Sequence, residues 1–161
     1  MTLFTRSKLE EIGFVGWLPW ADIAHWSCPA AGGVYVVSYD CAAQPKFLAE
    51  SPAGWFKSID PTASIDVLEA NWIGGVEIVY IGKSNNLRRR LKQYERFGSG
   101  RPVAHKGGRL IWQLPNAQSM RVAWRETPDD DPGAVEKQMI ENFRVAYGKP
   151  PFANDPHRLG M

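Results

Sequence analysis

Glu136 is a charged side chain placed among apolar ones, and this makes it the first candidate for chemistry. On the wheel of a predicted helix over residues 131–147 it falls near 100°, within an apolar face that covers about 20° to 140°. A carboxylate there is costly unless it is paired, protonated or bound to a metal, because desolvating an ion costs several kcal/mol. Glu136 is therefore either a structural partner of an arginine or a metal ligand or catalytic carboxylate.

Arg90 is the corresponding cation on an earlier predicted helix. This helix begins after a cap at Ser84 or Asn85 and ends near Gly98. Arg90 borders the apolar stripe, so its guanidinium should run along the protein surface and not freely outward. The stripe consists of Leu87, Leu91 and Tyr94. The other basic residues of the helix, Arg88, Arg89, Lys92 and Arg96, are predicted to face water.

The cations of the chain are concentrated around this helix. The 161 residues include 19 Lys+Arg and 17 Asp+Glu, a net charge of +2. Residues 83–109 hold nine basic residues and one acidic residue, so this segment has a charge of +8 and the remainder a charge of −6. Such segregation is typical of a phosphate-rich partner, and a solvated helix face is the alternative. The expected phosphate contacts are Lys83, Arg88, Arg89, Lys92, Arg96, Lys106 and Arg109.

The elements that must position these residues predict a single α+β domain over residues 1–161. Two strands are clear from their β-branched and aromatic residues, at 33–39 with Tyr35 and at 76–82 with Tyr80. A third is expected at 120–124, whereas 109–114 could be helix or strand. Residues 7–12 and 65–70 suggest short helices, residues 1–30 form an aromatic-rich extension, and 41–75 look like a surface insertion.

Composition excludes several classes of protein. With 44% hydrophobic and 12% aromatic residues the chain can bury a core, which argues against disorder. It has no apolar stretch long enough to cross a membrane and no apolar run typical of a signal peptide, so a cytoplasmic location is expected. Its two cysteines are too few for a disulfide framework. His25, Cys28 and Cys41 lack a fourth ligand at zinc spacing.

Taken in order, these features resemble the GIY-YIG nuclease superfamily. The first motif is Gly33-Val34-Tyr35 and the second is Tyr80-Ile81-Gly82. Arg90 follows on a basic helix, Glu136 and Ile140 on a late helix, and Pro150-Pro151-Phe152-Ala153-Asn154 near the end. The conjunction of these elements is far more specific than either three-residue motif.

The resemblance implies a small three-stranded antiparallel sheet flanked by helices, and cleavage of DNA with Mg²⁺ or Mn²⁺. Tyr35 and Tyr80 would be the motif tyrosines, Arg90 the motif arginine and Glu136 the metal-binding glutamate. Tyr94 matches a position that is often His or Tyr, and Asn154 matches the late asparagine on the DNA-binding side. His105 would correspond to a histidine that some members place in the loop after the arginine helix.

The implied chemistry gives each residue a role. Glu136 would hold the metal and Arg90 would stabilise the charge of the transition state. Tyr35 or Tyr80 could be the general base, provided that nearby cations such as Lys83 or the metal lower a pKa that is ordinarily near 10. Packing on the strand is the alternative role for both tyrosines.

Two departures from the family pattern affect the hypothesis. The motif tyrosines are separated by the insertion at 41–75, where the family has a short turn, so this segment must leave and return without disturbing strand pairing. Only 32 residues precede the first motif, so no separate DNA-recognition domain is expected there. The hypothesis is a metal-dependent DNA endonuclease. The alternatives are a non-catalytic nucleic-acid-binding module of the same fold and a nuclease that needs a protein partner or a second copy of itself.

Overall fold

The computed structural model describes residues 4–40, 43–104 and 107–154, and these form an α+β fold with a four-stranded antiparallel sheet and four α-helices. The order of the strands in the sheet is β1-β4-β2-β3. The strands are β1 (Val15–Pro19), β2 (Gly33–Ser38), β3 (Ile78–Ser84) and β4 (Arg121–Glu126). The helices are α1 (Arg6–Glu11), α2 (Ile65–Asn71), α3 (Leu87–Gly98) and α4 (Pro132–Tyr147). Shorter 3₁₀ helices cover Trp20–His25, Arg109–Gln113 and Ala117–Ser119.

The expected count of three strands is wrong because β1 adds a fourth, at the edge beside β4. Its sequence contains Gly16 and Pro19, which in isolation suggest a break. The pairing with β4 shifts register between Gly16 and Leu18, and Gly16 and Trp17 have positive φ values of 104° and 56°. A bulge on an edge strand tolerates both the glycine and the proline, so only the pairing partner reveals the strand.

The helix boundaries follow local capping signals. Asp131 accepts a hydrogen bond from the Ala134 amide at 3.0 Å, Pro132 occupies the first turn, and Gly148 ends α4 with φ 85°. The predicted cap of α3 is off by one or two residues: Asn86 accepts from the Arg89 amide at 3.0 Å. Ser84 instead holds the preceding turn, where its hydroxyl exchanges hydrogen bonds with the backbone of Asn86.

The two faces of the sheet belong to two hydrophobic clusters. Alternate residues of β2 point to opposite faces, so Tyr35 and Val37 lie on one and Val34 and Val36 on the other. The first face packs with α3 and the segment between β2 and β3. The second packs with α1 and with the apolar side of α4, which includes Met139, Ile140 and Phe143. The site residues must therefore approach the sheet from both sides.

The segment at 41–75 is part of the core and not a surface addition. Its buried side chains within the first cluster are Phe47, Ala53, Ala63, Leu68 and Trp72. Gln113 is fully buried, and its amide donates to the carbonyls of Leu48 and Ala63 at 2.9 and 3.0 Å and accepts from the Ala63 amide at 2.7 Å. The insertion nevertheless leaves β2 and β3 paired, from Gly33 opposite Ser84 onward.

In the described part of the chain, every helix is too short or too polar to cross a lipid bilayer.

Candidate active site

Strand register brings the two motif tyrosines together on one face of the sheet. Tyr35 of β2 lies opposite Gly82, and Tyr80 lies opposite Val37, so the two rings are diagonal neighbours with centroids 6.0 Å apart. A Cβ at Gly82 would overlap the phenol of Tyr35. The glycine of the second motif is therefore required because the Tyr35 ring lies directly over the β3 backbone.

Helix α3 adds Arg90 and Tyr94 to the pair. The Tyr94 ring meets those of Tyr80 and Tyr35 edge to face, at 5.7 and 6.3 Å, and its hydroxyl donates to the Gly108 carbonyl at 2.5 Å. The guanidinium carbon of Arg90 lies 4.9 Å from the Tyr94 ring centroid, as expected for residues four apart on a helix. We call Tyr35, Tyr80, Arg90 and Tyr94 the tyrosine–arginine cluster.

Arg90 is 4% exposed, more deeply buried than its predicted position at the border of the stripe suggests. Its Nη2 donates to the Gly107 carbonyl at 3.2 Å, but Nε and Nη1 have no hydrogen-bond partner among the described residues. Burial opposes the charged form, but the phenol oxygens of the cluster outweigh it and raise the pKa of Arg90. The guanidinium therefore stays charged. The Tyr35 hydroxyl interacts with it, and apart from this phenol its Nε and Nη1 are available to an anion.

The tyrosines are neutral phenols in the protein as it stands. Burial raises the pKa of Tyr35 and raises those of Tyr80 and Tyr94 well above the ordinary value. The charge of Arg90 lowers all three pKa values but does not outweigh burial. The condition for a tyrosine base, a lowered pKa, is therefore not met by the chain alone. The cation that acts on the phenols is Arg90, in place of the expected Lys83.

Glu136 reaches the site from α4, on the other face of the sheet. Burial raises the pKa of its carboxyl, and the charge of Lys83 partly offsets this. The negative charge of Glu136 raises the pKa values of Tyr35 and Tyr80. Glu136 therefore acts on the same two phenols as Arg90. Among the described residues it makes no ion pair within 4.0 Å, so the expected alternative of a structural pair with an arginine is not present.

Asn154 has a structural role that the sequence did not indicate. It is 8% exposed, its Oδ1 accepts from the Ile81 amide at 3.0 Å and its Nδ2 donates to the Ile81 carbonyl at 2.9 Å. The amide of Ala153 also donates to Val79 at 2.8 Å. Residues 153 and 154 thus cover the outer edge of β3 between the motif residues Tyr80 and Gly82. The amide of Asn154, which was expected to contact DNA, is thus buried and already paired with the backbone of Ile81.

The predicted cationic face of α3 is exposed. Its members, with the neighbouring exposed cations, are Lys83, Arg88, Arg89, Lys92, Arg96, Arg101 and Arg109. One donor of Arg88 is already used, since its Nε donates to the Cys28 carbonyl at 2.9 Å. His105 and Lys106 lie outside the described residues. The helix that supplies Arg90 therefore also carries the exposed cations Arg88, Arg89, Lys92 and Arg96.

The residues present fit a single hard cation of the Mg²⁺ type. Such an ion accepts one or two carboxylates and keeps several waters, so a lone Glu136 suffices, and a half-buried carboxylate without an ion-pair partner is a suitable ligand. A zinc-type cluster is not present: no group of three His, Cys, Asp or Glu comes together in the described part of the chain. Burial also raises the pKa of Cys28 to about 12, which keeps the thiol protonated.

Three further residues shape the cluster, and the sequence did not single them out. Trp20 and Trp112 pack against the Tyr94 ring at 5.1 and 5.6 Å. Gly108 has φ 75°, and a Cβ there would overlap the Tyr94 hydroxyl. The glycine pair at 107 and 108 is the only local signal that could have indicated a close backbone approach at this point.

Comparison with protein-family models, with curated proteins and with solved structures gives no match for the chain.

Proposed function

We propose that the protein is a divalent-metal-dependent endonuclease that hydrolyses DNA phosphodiester bonds, of the GIY-YIG type. The observation on which this rests is Arg90, a buried and charged guanidinium with two unpartnered donors, enclosed by three phenols and with Glu136 acting on the same volume. A phosphodiester offers the anionic oxygens that such a group binds. The basic face of α3 supports a polyanionic substrate.

In this proposal each side chain has a task that follows from its surroundings. Arg90 donates to the phosphoryl oxygens, on which negative charge increases in the transition state; it is already oriented by Gly107 and Tyr94. Tyr35 and Tyr80, as neutral phenols, donate hydrogen bonds to the same oxygens or to the attacking water. Glu136 is the metal ligand, and a bound cation would supply Lewis-acid stabilisation and a more acidic water.

The raised pKa values of the tyrosines favour one other candidate, a non-catalytic module that binds nucleic acid. Neutral phenols and a buried arginine can bind a phosphate without cleaving it, and a single carboxylate is the minimum for metal chemistry. The same experiment distinguishes the two functions.

The test is cleavage of supercoiled plasmid and of branched DNA with Mg²⁺ or Mn²⁺. We expect cleavage by the wild type, none in EDTA, and a loss of about 10² to 10³ in rate for Arg90→Lys, which keeps the charge but not the fork of donors. Glu136→Ala should abolish metal-dependent cleavage. Matched controls are Glu141→Ala and Arg144→Lys, exposed residues of the same charges on α4.

The possible results separate the proposals. Persistent cleavage by Glu136→Ala would contradict the metal role of this residue. Tight DNA binding with no cleavage by the wild type in either metal would favour the non-catalytic module.

A further inference from the structure

The segment between β2 and β3 contains an exposed aromatic hairpin that the proposed chemistry does not use. Phe56 and Ile59 form an isolated antiparallel bridge, with Ile59 N donating to Phe56 O at 3.0 Å. Trp55 precedes it and is 56% exposed, and Ile59 is 49% exposed. We call residues 55–59 the aromatic hairpin. Of the seven tryptophans, Trp55 is the one with no ring partner and no place in either core cluster among the described residues.

The turn of this hairpin is held in a costly conformation. Its two central residues, Lys57 and Ser58, have φ values of 51° and 63°. Turns of this kind normally take Asn or Gly, since other side chains are disfavoured at positive φ. The Lys57 ammonium also lies 5.5 Å from the Phe56 ring centroid. Strain of this kind persists where the surrounding structure imposes it, and it is common at binding sites.

The hairpin is fixed to the C-terminal end of the basic helix. The Gly54 amide donates to the Phe97 carbonyl at 2.9 Å, and a Cβ at Gly54 would overlap the Arg101 carbonyl. The base is closed by the Ser51 amide, which donates to the Thr62 hydroxyl at 2.9 Å. Ala53 and Pro61, on either side of the hairpin, are buried, so Trp55 is presented on a fixed support. Its neighbour Gly54 lies against the backbone of the exposed Arg101, just beyond the helix end that carries the exposed Arg96.

This placement puts the hairpin at the end of the helix that carries the exposed cations. Arg89 and Arg96 lie seven residues apart on the exposed side of α3, about 10 Å along its axis. That corresponds to about three base steps of a nucleic-acid strand. A strand whose backbone follows these cations toward the C-terminal end of α3 would bring a base to the ring of Trp55.

We propose that Trp55 stacks on an unpaired DNA base, so that the protein recognises single-stranded arms or the junction of a fork in preference to blunt duplex. This inference rests on the proposed function for its choice of DNA as the ligand. Stacking on an exposed aromatic next to a cationic track is the general chemistry of single-strand recognition. A duplex interior offers no free base face, so the residue can act only where strands are open. Asp60, the nearest acid of the hairpin, is engaged with the Thr62 amide at 2.9 Å.

The test is fluorescence anisotropy in EDTA with three labelled DNAs: a blunt duplex, a fork of the same duplex with two unpaired arms, and a single strand. We expect the wild type to bind the fork and the single strand more tightly than the duplex. Trp55→Ala should weaken fork binding by about tenfold and duplex binding by less than about twofold. Trp55→Phe should keep most of the preference. Val145→Ala, an exposed apolar residue on α4, is the matched control and should change nothing.

Two results would overturn the inference: equal binding of fork and duplex by the wild type, or a Trp55→Ala variant that binds all three DNAs as the wild type does. Either would leave the hairpin as a surface for a protein partner. Cleavage of the same fork with Mg²⁺ is measured separately. Trp55-dependent binding without cleavage would support the inference and contradict the proposed function. Cleavage that the Trp55→Ala substitution does not affect would support the proposed function and contradict the inference.

Discussion

At the residue scale, the site joins a buried arginine and a half-buried carboxylate that α3 and α4 bring from opposite faces of the sheet. Arg90 lies within a shell of phenols, and Glu136 has no ion-pair partner among the described residues. Burial of such groups lowers the stability of a protein, and strained electrostatics of this kind are typical of functional sites. The sequence indicated both residues, since Glu136 falls within an apolar helix face and Arg90 at the border of one.

The raised pKa of Glu136 predicts a stabilising substitution. The folded state binds the proton of this carboxyl more tightly than the unfolded chain, so stability is lost as pH rises through the raised pKa. At about pH 8 Glu136→Gln should therefore be more stable than the wild type, by at most about 1 kcal/mol or ~2–4 °C. The gain should shrink as pH falls and the wild-type carboxyl protonates.

Thermal unfolding between about pH 4 and 8 measures this difference. Glu141→Gln removes an exposed carboxylate from the same helix and serves as the control. A Glu136→Gln variant that is less stable than the wild type at pH 8 would show that the carboxylate has a stabilising partner.

At the element scale, α3 has two tasks on two faces. Its buried side places Arg90 and Tyr94 under the sheet, and its exposed side presents cations. The edge of β3 has its own support, since Asn154 pairs with the backbone of Ile81 in place of a further strand. Both arrangements fix the second motif from outside the sheet.

The exposed side of α3 predicts the salt dependence of DNA binding. Arg89→Ala combined with Lys92→Ala should reduce the slope of log K against log salt by about 1.8, if each side chain contacts one phosphate. Lys137→Ala combined with Arg144→Ala removes two exposed cations from α4 and should leave the slope unchanged. Equal slopes for both double variants would exclude α3 from the DNA-binding face.

The pairing of Asn154 with the edge of β3 predicts that truncating this one side chain greatly lowers the stability of the protein. Asn154→Ala removes two hydrogen bonds and leaves the amide and carbonyl of Ile81 buried without partners, which should cost about 2–4 kcal/mol. Urea unfolding gives the value, with the exposed Asn142→Ala as control. A loss below about 0.5 kcal/mol would show that water replaces the side chain.

At the scale of the whole molecule, the insertion and the sheet share one hydrophobic core. Phe47 and Trp72 of the insertion pack on Phe152, just before Asn154, with ring centroids 5.7 and 5.4 Å away. Gln113 fixes the insertion to the 3₁₀ helix at Arg109–Gln113 through three hydrogen bonds. The segment that presents the aromatic hairpin therefore also supports the site.

This shared core predicts that the insertion and the sheet unfold together. It also predicts that the stability of the protein depends strongly on the hydrogen bonds of Gln113. Gln113→Leu should destabilise the protein by about 3 kcal/mol, because three backbone groups, two of them buried, lose their partner. Tryptophan fluorescence and far-ultraviolet circular dichroism should give coincident transitions in the wild type. Gln138→Ala on the exposed side of α4 is the control. Two separate transitions would mean that the insertion folds as its own unit.

The sequence alone determined the features that depend on neighbours a few residues apart. Periodicity and capping located α3 and α4 to within two residues, and they placed Glu136 within an apolar face and Arg90 at the border of one. The strands that bear Tyr35 and Tyr80 were also evident, because β-branched and aromatic residues favour extended backbone.

Only the tertiary structure decided what depends on residues far apart in the chain. The bulged strand β1 exists through its pairing with β4, and Asn154 is occupied through a contact with Ile81. The neutral state of the tyrosines likewise follows from burial by α3 and the insertion. Burial, strand register and the balance between desolvation and a nearby charge all depend on residues that are far apart in the chain. A local sequence pattern therefore cannot predict them.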